Sequence, residues 1–118
     1  MEMKIVDIDV FNKDIGLDYE TLKELYLVFV EEINQEKEAV NNQLTLREFE
    51  KLRKSIHNVK GIASNYRAQY VFENAKKIDL KLNNEDYENL SSYISDFSKA
   101  IEEAEEEITK YFVQGENS

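Results

Sequence analysis

Apolar residues recur at helical spacing along most of the 118-residue chain. From Leu22 they fall mainly at steps of three, four or seven, and further stripes follow over residues 49–66, 68–82 and 87–111. Such spacing places the apolar side chains on one face of an α-helix, where they can pack against a core. The pattern therefore predicts four amphipathic helices.

Capping residues and polar runs predict where these helices begin and end. Asp18 or Thr21 can begin the first helix, and the Asn-Asn-Gln run at residues 41–43 is expected to end it. Thr45 and Glu48 match the Ser/Thr-x-x-Glu capping box, in which a hydroxyl and a carboxylate satisfy free backbone N–H groups. The second helix is therefore expected to begin at this box.

Short polar turns, such as Asn83-Asn84, separate the four predicted helices. Helices joined in this way are typical of an antiparallel up-down four-helix bundle. The segment from Val6 to Ile15 is also apolar but less regular. We expect it to form an extra short N-terminal helix or strap that ends at Gly16.

Length and composition narrow the fold and function classes. The chain has no Cys, Pro or Trp and only three Gly, which excludes disulfides and thiolate metal sites. Its 25 acidic and 15 basic residues give a net charge of −10, which disfavours nucleic-acid binding. No apolar run approaches a membrane span, and the first residues do not resemble a signal peptide. We expect one cytoplasmic all-α domain over residues 1–118, with its core at about 5–112 and a frayed tail at 113–118.

Charge is unevenly distributed along the chain. Residues 47–81 hold nine basic and four acidic residues, a local charge of +5, whereas the rest of the chain carries −15. A basic surface on an acidic body suggests an acidic partner whose approach is steered by the electrostatic field. Chance asymmetry is the alternative.

The only histidine, His57, lies beside the apolar stripe of its predicted helix rather than within it. Helical spacing puts it on one outward face with its neighbours one and two turns away. Those neighbours are Arg53, Lys60, Gly61 and Ser64. A glycine inside a helix costs about 1 kcal/mol relative to alanine, and here it would open the approach to the imidazole. A neutral imidazole is a competent nucleophile, and Lys60 could lie beside any negative group held on it. A surface histidine without a function is the alternative.

The run Ser55-Ile56-His57-Asn58-Val59-Lys60-Gly61 resembles the His-x-x-Lys-Gly signature of histidine-containing phosphotransfer (HPt) domains. These domains relay phosphoryl groups in multistep two-component signalling. The apolar stripe from Ala68 to Asp79 and the segment from Gly16 to Glu32 are also similar to the family, so the resemblance covers about residues 5–112. It implies a phosphocarrier that accepts a phosphoryl group from a phospho-Asp receiver domain or a kinase and passes it to a receiver Asp.

The resemblance also implies roles for individual residues. His57 would be the phosphoacceptor, Lys60 would stabilise the phosphoryl oxygens, and Gly61 would clear the docking surface. Asp79 lies 22 residues after His57, where the family often has a Gln or Glu that hydrogen-bonds to the imidazole. An ion pair with a lysine of its own helix is the alternative for Asp79. The residues expected to contact the partner are Arg53, Lys54, Gly61, Ser64 and Arg67.

The chain departs from the family at Arg67, ten residues after the histidine, where a second glycine is common. We expect the turn to be made instead with Asn65 in a left-handed conformation, and Arg67 to extend the basic surface. The departure concerns the turn more than the chemistry, because His57, Lys60 and Gly61 are all present.

The expected protein is a monomer without a cofactor, and it is not an enzyme by itself. Its partner would be the receiver domain of a response regulator or hybrid histidine kinase, and any Mg²⁺ would belong to that receiver. The alternative is an HPt-like helical module that binds receivers or kinases without using His57. A histidine-kinase dimerisation domain is disfavoured. That family typically has an acidic residue directly after its histidine and a proline a few residues later, whereas here Asn58 follows His57 and the chain has no Pro. A hydrolase is disfavoured because no triad is visible.

Overall fold

The computed structural model describes the backbone of residues 4–116 and the side chains of residues 4–115. Every regular element within this range is an α-helix, which confirms the all-helical class predicted from the apolar spacing. The five helices are α1 (Ile8–Ile15), α2 (Tyr19–Thr45), α3 (Phe49–Asn65), α4 (Gln69–Asn83) and α5 (Leu90–Glu116).

The four long helices pack in a closed ring of contacts. Helix α2 packs against α3 and α5, and α4 also packs against α3 and α5. The seam between α3 and α4 therefore lies across the molecule from the seam between α2 and α5. Along the second seam Tyr19 bonds to Phe112, while Asn41 bonds to Ser98, so α2 and α5 run in opposite directions. Each of these two helices has 27 residues, and such a helix is about 40 Å long.

The apolar stripes meet in one hydrophobic core that draws on all five helices. Tyr26 and Phe29 of α2 and Phe97 of α5 are fully buried. Burying each such side chain contributes about 1.5–3 kcal/mol. The Tyr26 hydroxyl donates to the carbonyl oxygen of Tyr66 at 2.8 Å, so this polar atom is satisfied inside the core. Desolvation is the main cause that raises the pKa of the Tyr26 phenol.

The first long helix begins where Asp18 predicts but ends later than expected. The Asp18 carboxylate accepts from the backbone N–H of Thr21 at 2.8 Å, and this bond lowers the pKa of Asp18. Helix α2 then continues through residues 41–43, so the predicted break there is wrong. Asn41 lies on the exposed face, where it donates to the carbonyl of Lys37. A polar run on the solvent side of a long amphipathic helix does not have to end it.

The capping box predicted at Thr45 and Glu48 is also wrong. Thr45 is the last residue of α2, and its hydroxyl donates to the carbonyl of Asn41 at 3.0 Å. Glu48 itself precedes α3 and makes no side-chain cap. Its carboxylate pairs with Lys51 at 2.7 Å instead.

Three interhelical turns share one geometry without using glycine. In each, one residue adopts a positive φ, and the following N–H bonds to a carbonyl five residues back, as in the Schellman motif. The left-handed residues are Arg47 (φ 56°), Arg67 (φ 59°) and Glu85 (φ 53°). The N–H groups after them belong to Glu48, Ala68 and Asp86, and they donate to the carbonyls of Gln43, Ala63 and Lys81 respectively. The expected left-handed Asn65 is therefore wrong, because Asn65 ends α3 and Arg67 takes that conformation.

The predicted N-terminal element is the short helix α1, which Gly16 ends at φ 74°. Its buried residues Ile8 and Phe11 join the common core. The carbonyl of Arg67 accepts the N–H of Asp7 at 3.0 Å, so the turn between α3 and α4 holds the beginning of α1.

The last helix differs from the prediction at both ends. It begins at Leu90 rather than at Tyr87, whose ring stacks on Phe49 at 4.0 Å between centroids. At the other end the helix continues to Glu116, beyond residue 113 where the tail was expected to begin, and residues 117–118 lie outside the described range. The Tyr19 hydroxyl donates to the carbonyl of Phe112 at 2.6 Å, which ties this end to α2. No helix in the described range is both long and apolar enough to cross a bilayer.

Candidate functional site

Helix α3 presents His57 to solvent. Leu52, Ile56 and Val59 of this helix are completely buried in the core, and they fix how the helix is rotated about its axis. His57 follows Ile56 by one residue, about 100° around the helix, and its side chain is exposed. The prediction that the histidine lies off the buried stripe is confirmed.

An open pocket of about 440 Å³ lies around this histidine, between α3 and α4. Its lining residues are Arg53, Lys54, His57, Asn58, Lys60, Asp79 and Asn83. Three of these are cations from α3, and one is a carboxylate from α4. The pocket therefore combines a nucleophilic ring with an excess of positive charge, an arrangement that attracts anions.

The closest polar contact in the pocket joins Lys60 to Asp79. The Lys60 Nζ lies 2.8 Å from the Asp79 Oδ2, and the two side chains are 28% and 12% exposed. A carboxylate this buried needs a charged or hydrogen-bonding partner, and the ammonium supplies one. This ion pair fixes the end of the Lys60 side chain beside the helix seam.

The contact differs from what the family resemblance implies for Asp79. We expected its carboxylate beside the imidazole, but it binds Lys60, and no described residue hydrogen-bonds to the His57 ring. The alternative, an ion pair with Lys76 or Lys81 of α4, does not describe it either, because Asp79 pairs with a lysine of α3 and Lys81 binds Asp86 at 3.0 Å. The shorter Asp side chain contacts the lysine across the seam.

Gly61 lies one turn after His57 on the exposed face of α3. A Cβ atom built on it would meet nothing within 4 Å, and its φ is not left-handed. Neither packing nor backbone geometry within the described residues thus requires a glycine here. Any requirement for Gly61 must come from a molecule that approaches this face.

The structure separates the other predicted contact residues. Arg53 and Lys54 line the pocket with His57, and Arg53 also lies 3.4 Å from Glu50. Ser64 is exposed on the same helix but does not line the pocket. Arg67 lies at the turn and binds Asp14 of α1 at 3.1 Å, so in this structure its guanidinium contacts the strap.

Two residues of the pocket, Asn58 and Asn83, were not predicted as site residues. Asn83 lies one helical turn after Asp79, and residues four apart share a helix face. That spacing could have indicated Asn83, but an Asn-Asn pair is also typical of a turn, and the structure shows that Asn83 is the last residue of α4. Both amides offer hydrogen bonds to a ligand in the pocket.

Comparisons with known proteins do not assign the chain to a family. No family model, no curated protein and no solved structure matched the chain. Among the described residues, no group of three or more His, Cys, Asp or Glu side chains is arranged to hold a metal ion.

Proposed function

We propose that this chain is an HPt-type phosphocarrier in which His57 accepts a phosphoryl group from a phospho-Asp receiver domain or a kinase and passes it to a receiver Asp. One observation carries the proposal: a solvent-facing imidazole shares a basic pocket with Lys60, beside the open surface at Gly61. In this proposal the four long helices are the antiparallel up-down bundle of that family, and α1 is its N-terminal strap.

Phosphoryl transfer requires only a nucleophile and positive charge from this chain. The lone pair of one His57 ring nitrogen attacks the phosphorus of the aspartyl phosphate, a nitrogen–phosphorus bond forms, and the phosphorus–oxygen bond to the carboxylate breaks. The second ring nitrogen keeps its proton, and the receiver recovers its carboxylate. Delivery to the next receiver is the same step in reverse. The Mg²⁺ that this step requires belongs to the receiver.

Lys60 stabilises the phosphoryl oxygens, and Asp79 acts through Lys60. An ammonium has three donors, so Lys60 can hold the Asp79 carboxylate with one and reach an oxygen on His57 with another. Asp79 is then a positioning residue for the lysine rather than for the imidazole. It also offsets part of the positive charge while His57 is unmodified.

The basic rim fits an acidic partner. Arg53 and Lys54 border the pocket, and complementary charge mainly accelerates the encounter of two surfaces. A receiver domain carries acidic residues around its phosphorylated Asp, so the two surfaces attract each other. The chain acts as substrate and donor for its partners, as a monomer, and is not an enzyme alone.

A second candidate function is an HPt-like module that binds receivers or kinases without being phosphorylated. The observation that favours it is the His57 ring, to which no described residue hydrogen-bonds. Phosphoacceptor imidazoles benefit from a partner that fixes the tautomer. The two candidates share one docking surface and differ in covalent chemistry.

Phosphotransfer from phosphorylated receiver domains tests the proposal. The chain is incubated with a panel of receivers, and the product is assayed for phosphate that is acid-labile and base-stable. We expect His57→Gln to abolish labelling with its helicity unchanged, and Asn58→Gln, the neighbouring change in the same pocket, to retain it. Labelling that survives His57→Gln contradicts the proposal. A chain that binds a receiver but takes no phosphate supports the non-phosphorylated module.

A further inference from the structure

An apolar cleft of about 190 Å³ lies between α2 and α5, across the molecule from His57. Its apolar lining consists of Leu27, Val30, Ile108, Phe112 and Val113. Leu27 and Val113 are 54% and 47% exposed, although both belong to otherwise well-packed helices. The proposed phosphotransfer chemistry uses none of these residues.

The helices that form this cleft are strongly acidic. Together α2 and α5 carry 13 acidic and four basic residues. Lys23 and Glu105 line the cleft itself. The adjoining surface, which shares Glu105 and Thr109, also carries Glu102, Glu106 and Lys110. The site therefore combines exposed apolar anchors with surroundings in which acidic residues outnumber basic ones.

We infer that this cleft binds a basic amphipathic helix of a partner protein, with its apolar side chains between α2 and α5 and its Lys or Arg side chains over the acidic surface. Helix-in-groove binding uses apolar anchors at helical spacing, and charge complementarity selects the sign of the partner. A second copy of this chain would bring the same negative face against itself. An anionic membrane surface would be repelled for the same reason.

The inference does not depend on the proposed function. The cleft and the His57 pocket lie on opposite seams, so a helix in the cleft leaves the imidazole open. This face is a second, independent interaction surface. His57→Gln is accordingly expected to leave helix binding unchanged.

Binding of designed peptides tests the inference. The probe is a fluorescent helical peptide of about 16 residues, with Leu at positions i, i+3, i+4 and i+7 and Lys elsewhere. Two matched peptides serve as controls, one with the same composition in shuffled order and one with Glu in place of Lys. We expect the basic amphipathic peptide alone to bind in fluorescence anisotropy, with an affinity that falls as salt is added.

Two pairs of variants locate the binding site. Leu27→Asp is compared with Val28→Asp, because Val28 is similarly exposed at 53% on the same helix but does not line the cleft. We expect about a tenfold loss of affinity for the first and little change for the second. Val113→Asp repeats the test from α5. Glu105→Gln should weaken binding a few-fold and flatten its salt dependence, whereas Glu107→Gln, outside the cleft, should not.

Several results would overturn the inference. Equal binding by Leu27→Asp and Val28→Asp, or by the shuffled or acidic peptide, would show non-specific attraction. No binding of the basic peptide up to about 1 mM would exclude a helix site of useful affinity. Leu27-dependent self-association in sedimentation would assign the cleft to a second copy. Leu27-dependent binding to vesicles with anionic lipids would assign it to a membrane.

Discussion

The α3–α4 seam and the α2–α5 seam pack against the same core, but their outer surfaces differ in the sign of their charge. Helices α3 and α4 carry seven basic and three acidic residues, whereas α2 and α5 carry four basic and 13 acidic ones. All four helices bury an apolar stripe in the same core. The core positions therefore determine how the helices pack, and the outward positions alone determine what each seam attracts.

The seams also differ in the chemistry of their concave surfaces. The α3–α4 pocket offers an imidazole, three cations, one carboxylate and two amides, while the α2–α5 cleft offers mainly apolar side chains. A polar, charged pocket suits a brief encounter in which a group is transferred. An apolar cleft suits a partner that stays bound, because burial of apolar area supplies most of the affinity.

The largest effect that separates the seams is expected from Gly61→Glu. A carboxylate and added bulk beside His57 oppose an anionic reaction and the approach of the receiver, so transfer should fall more than about 100-fold. Gly61→Ala is the control: its Cβ meets open space, so transfer should persist and stability should rise by up to about 1 kcal/mol. Single-turnover transfer and urea unfolding measure the two effects. Normal transfer by Gly61→Glu would show that the open surface is not used.

Lys60→Ala is expected to have the next largest effect. Removing a donor from a transferring group slows the chemical step, here by about tenfold to 100-fold at saturating receiver. Added salt should change this loss little, because a contact inside a closed interface is weakly screened. Asp79→Asn, which keeps Lys60, should cost less transfer than Lys60→Ala.

Transfer rates at low and high salt and the lifetime of the phosphohistidine check the Lys60 prediction. If Lys60→Ala slows only the salt-sensitive association with the receiver, and not the transfer step, then Lys60 only steers the encounter and does not contact the phosphoryl group.

A smaller effect is expected from the basic rim. Arg53→Ala and Lys54→Ala should slow association with a receiver a few-fold at low salt, and the effect should fade at physiological ionic strength, where charges more than about 8 Å apart are screened. Glu106→Gln, on the opposite seam, changes the net charge by the same amount with the opposite sign and should leave the rate nearly unchanged. Stopped-flow association rates across a salt series measure this. An acceleration by Glu106→Gln as large as the slowing by Arg53→Ala would mean that only net charge matters.

The smallest effect concerns the stability of acidic α2. One oxygen of Glu36 is buried without a hydrogen-bond partner among the described residues, and desolvation, with repulsion from Glu32, raises the pKa of Glu36. The unfolded chain therefore releases this proton at a lower pH than the folded protein. Glu36 accordingly lowers stability as pH rises above the ordinary range of a glutamate, and the penalty persists at neutral pH.

Glu36→Gln should remove that penalty and stabilise the fold at pH 7 more than at pH 4. Urea unfolding at both pH values measures the difference, with Glu38→Gln, an exposed change on the same helix, as the control. A gain that is the same at both pH values would contradict the proposed cause.

The sequence by itself determined that the chain is helical and which side of each long helix is buried. Leu52, Ile56 and Val59 are spaced so that one rotation of the helix buries all three, and this leaves His57 outward. The rotation of a helix about its axis is encoded locally, since it depends on residues within two turns of each other. Gly16 likewise ends α1 because a left-handed residue is needed there and glycine adopts it readily.

The tertiary structure alone decided the turns between the helices and the partner of Asp79. Arg47, Arg67 and Glu85 occupy left-handed positions that sequence preference gives to glycine, because packing of the flanking helices fixes where each chain reversal falls. The binding of Asp79 to Lys60 depends on the spacing and relative rotation of α3 and α4. Both quantities are set by core side chains from every helix, so no local pattern around either residue encodes the contact.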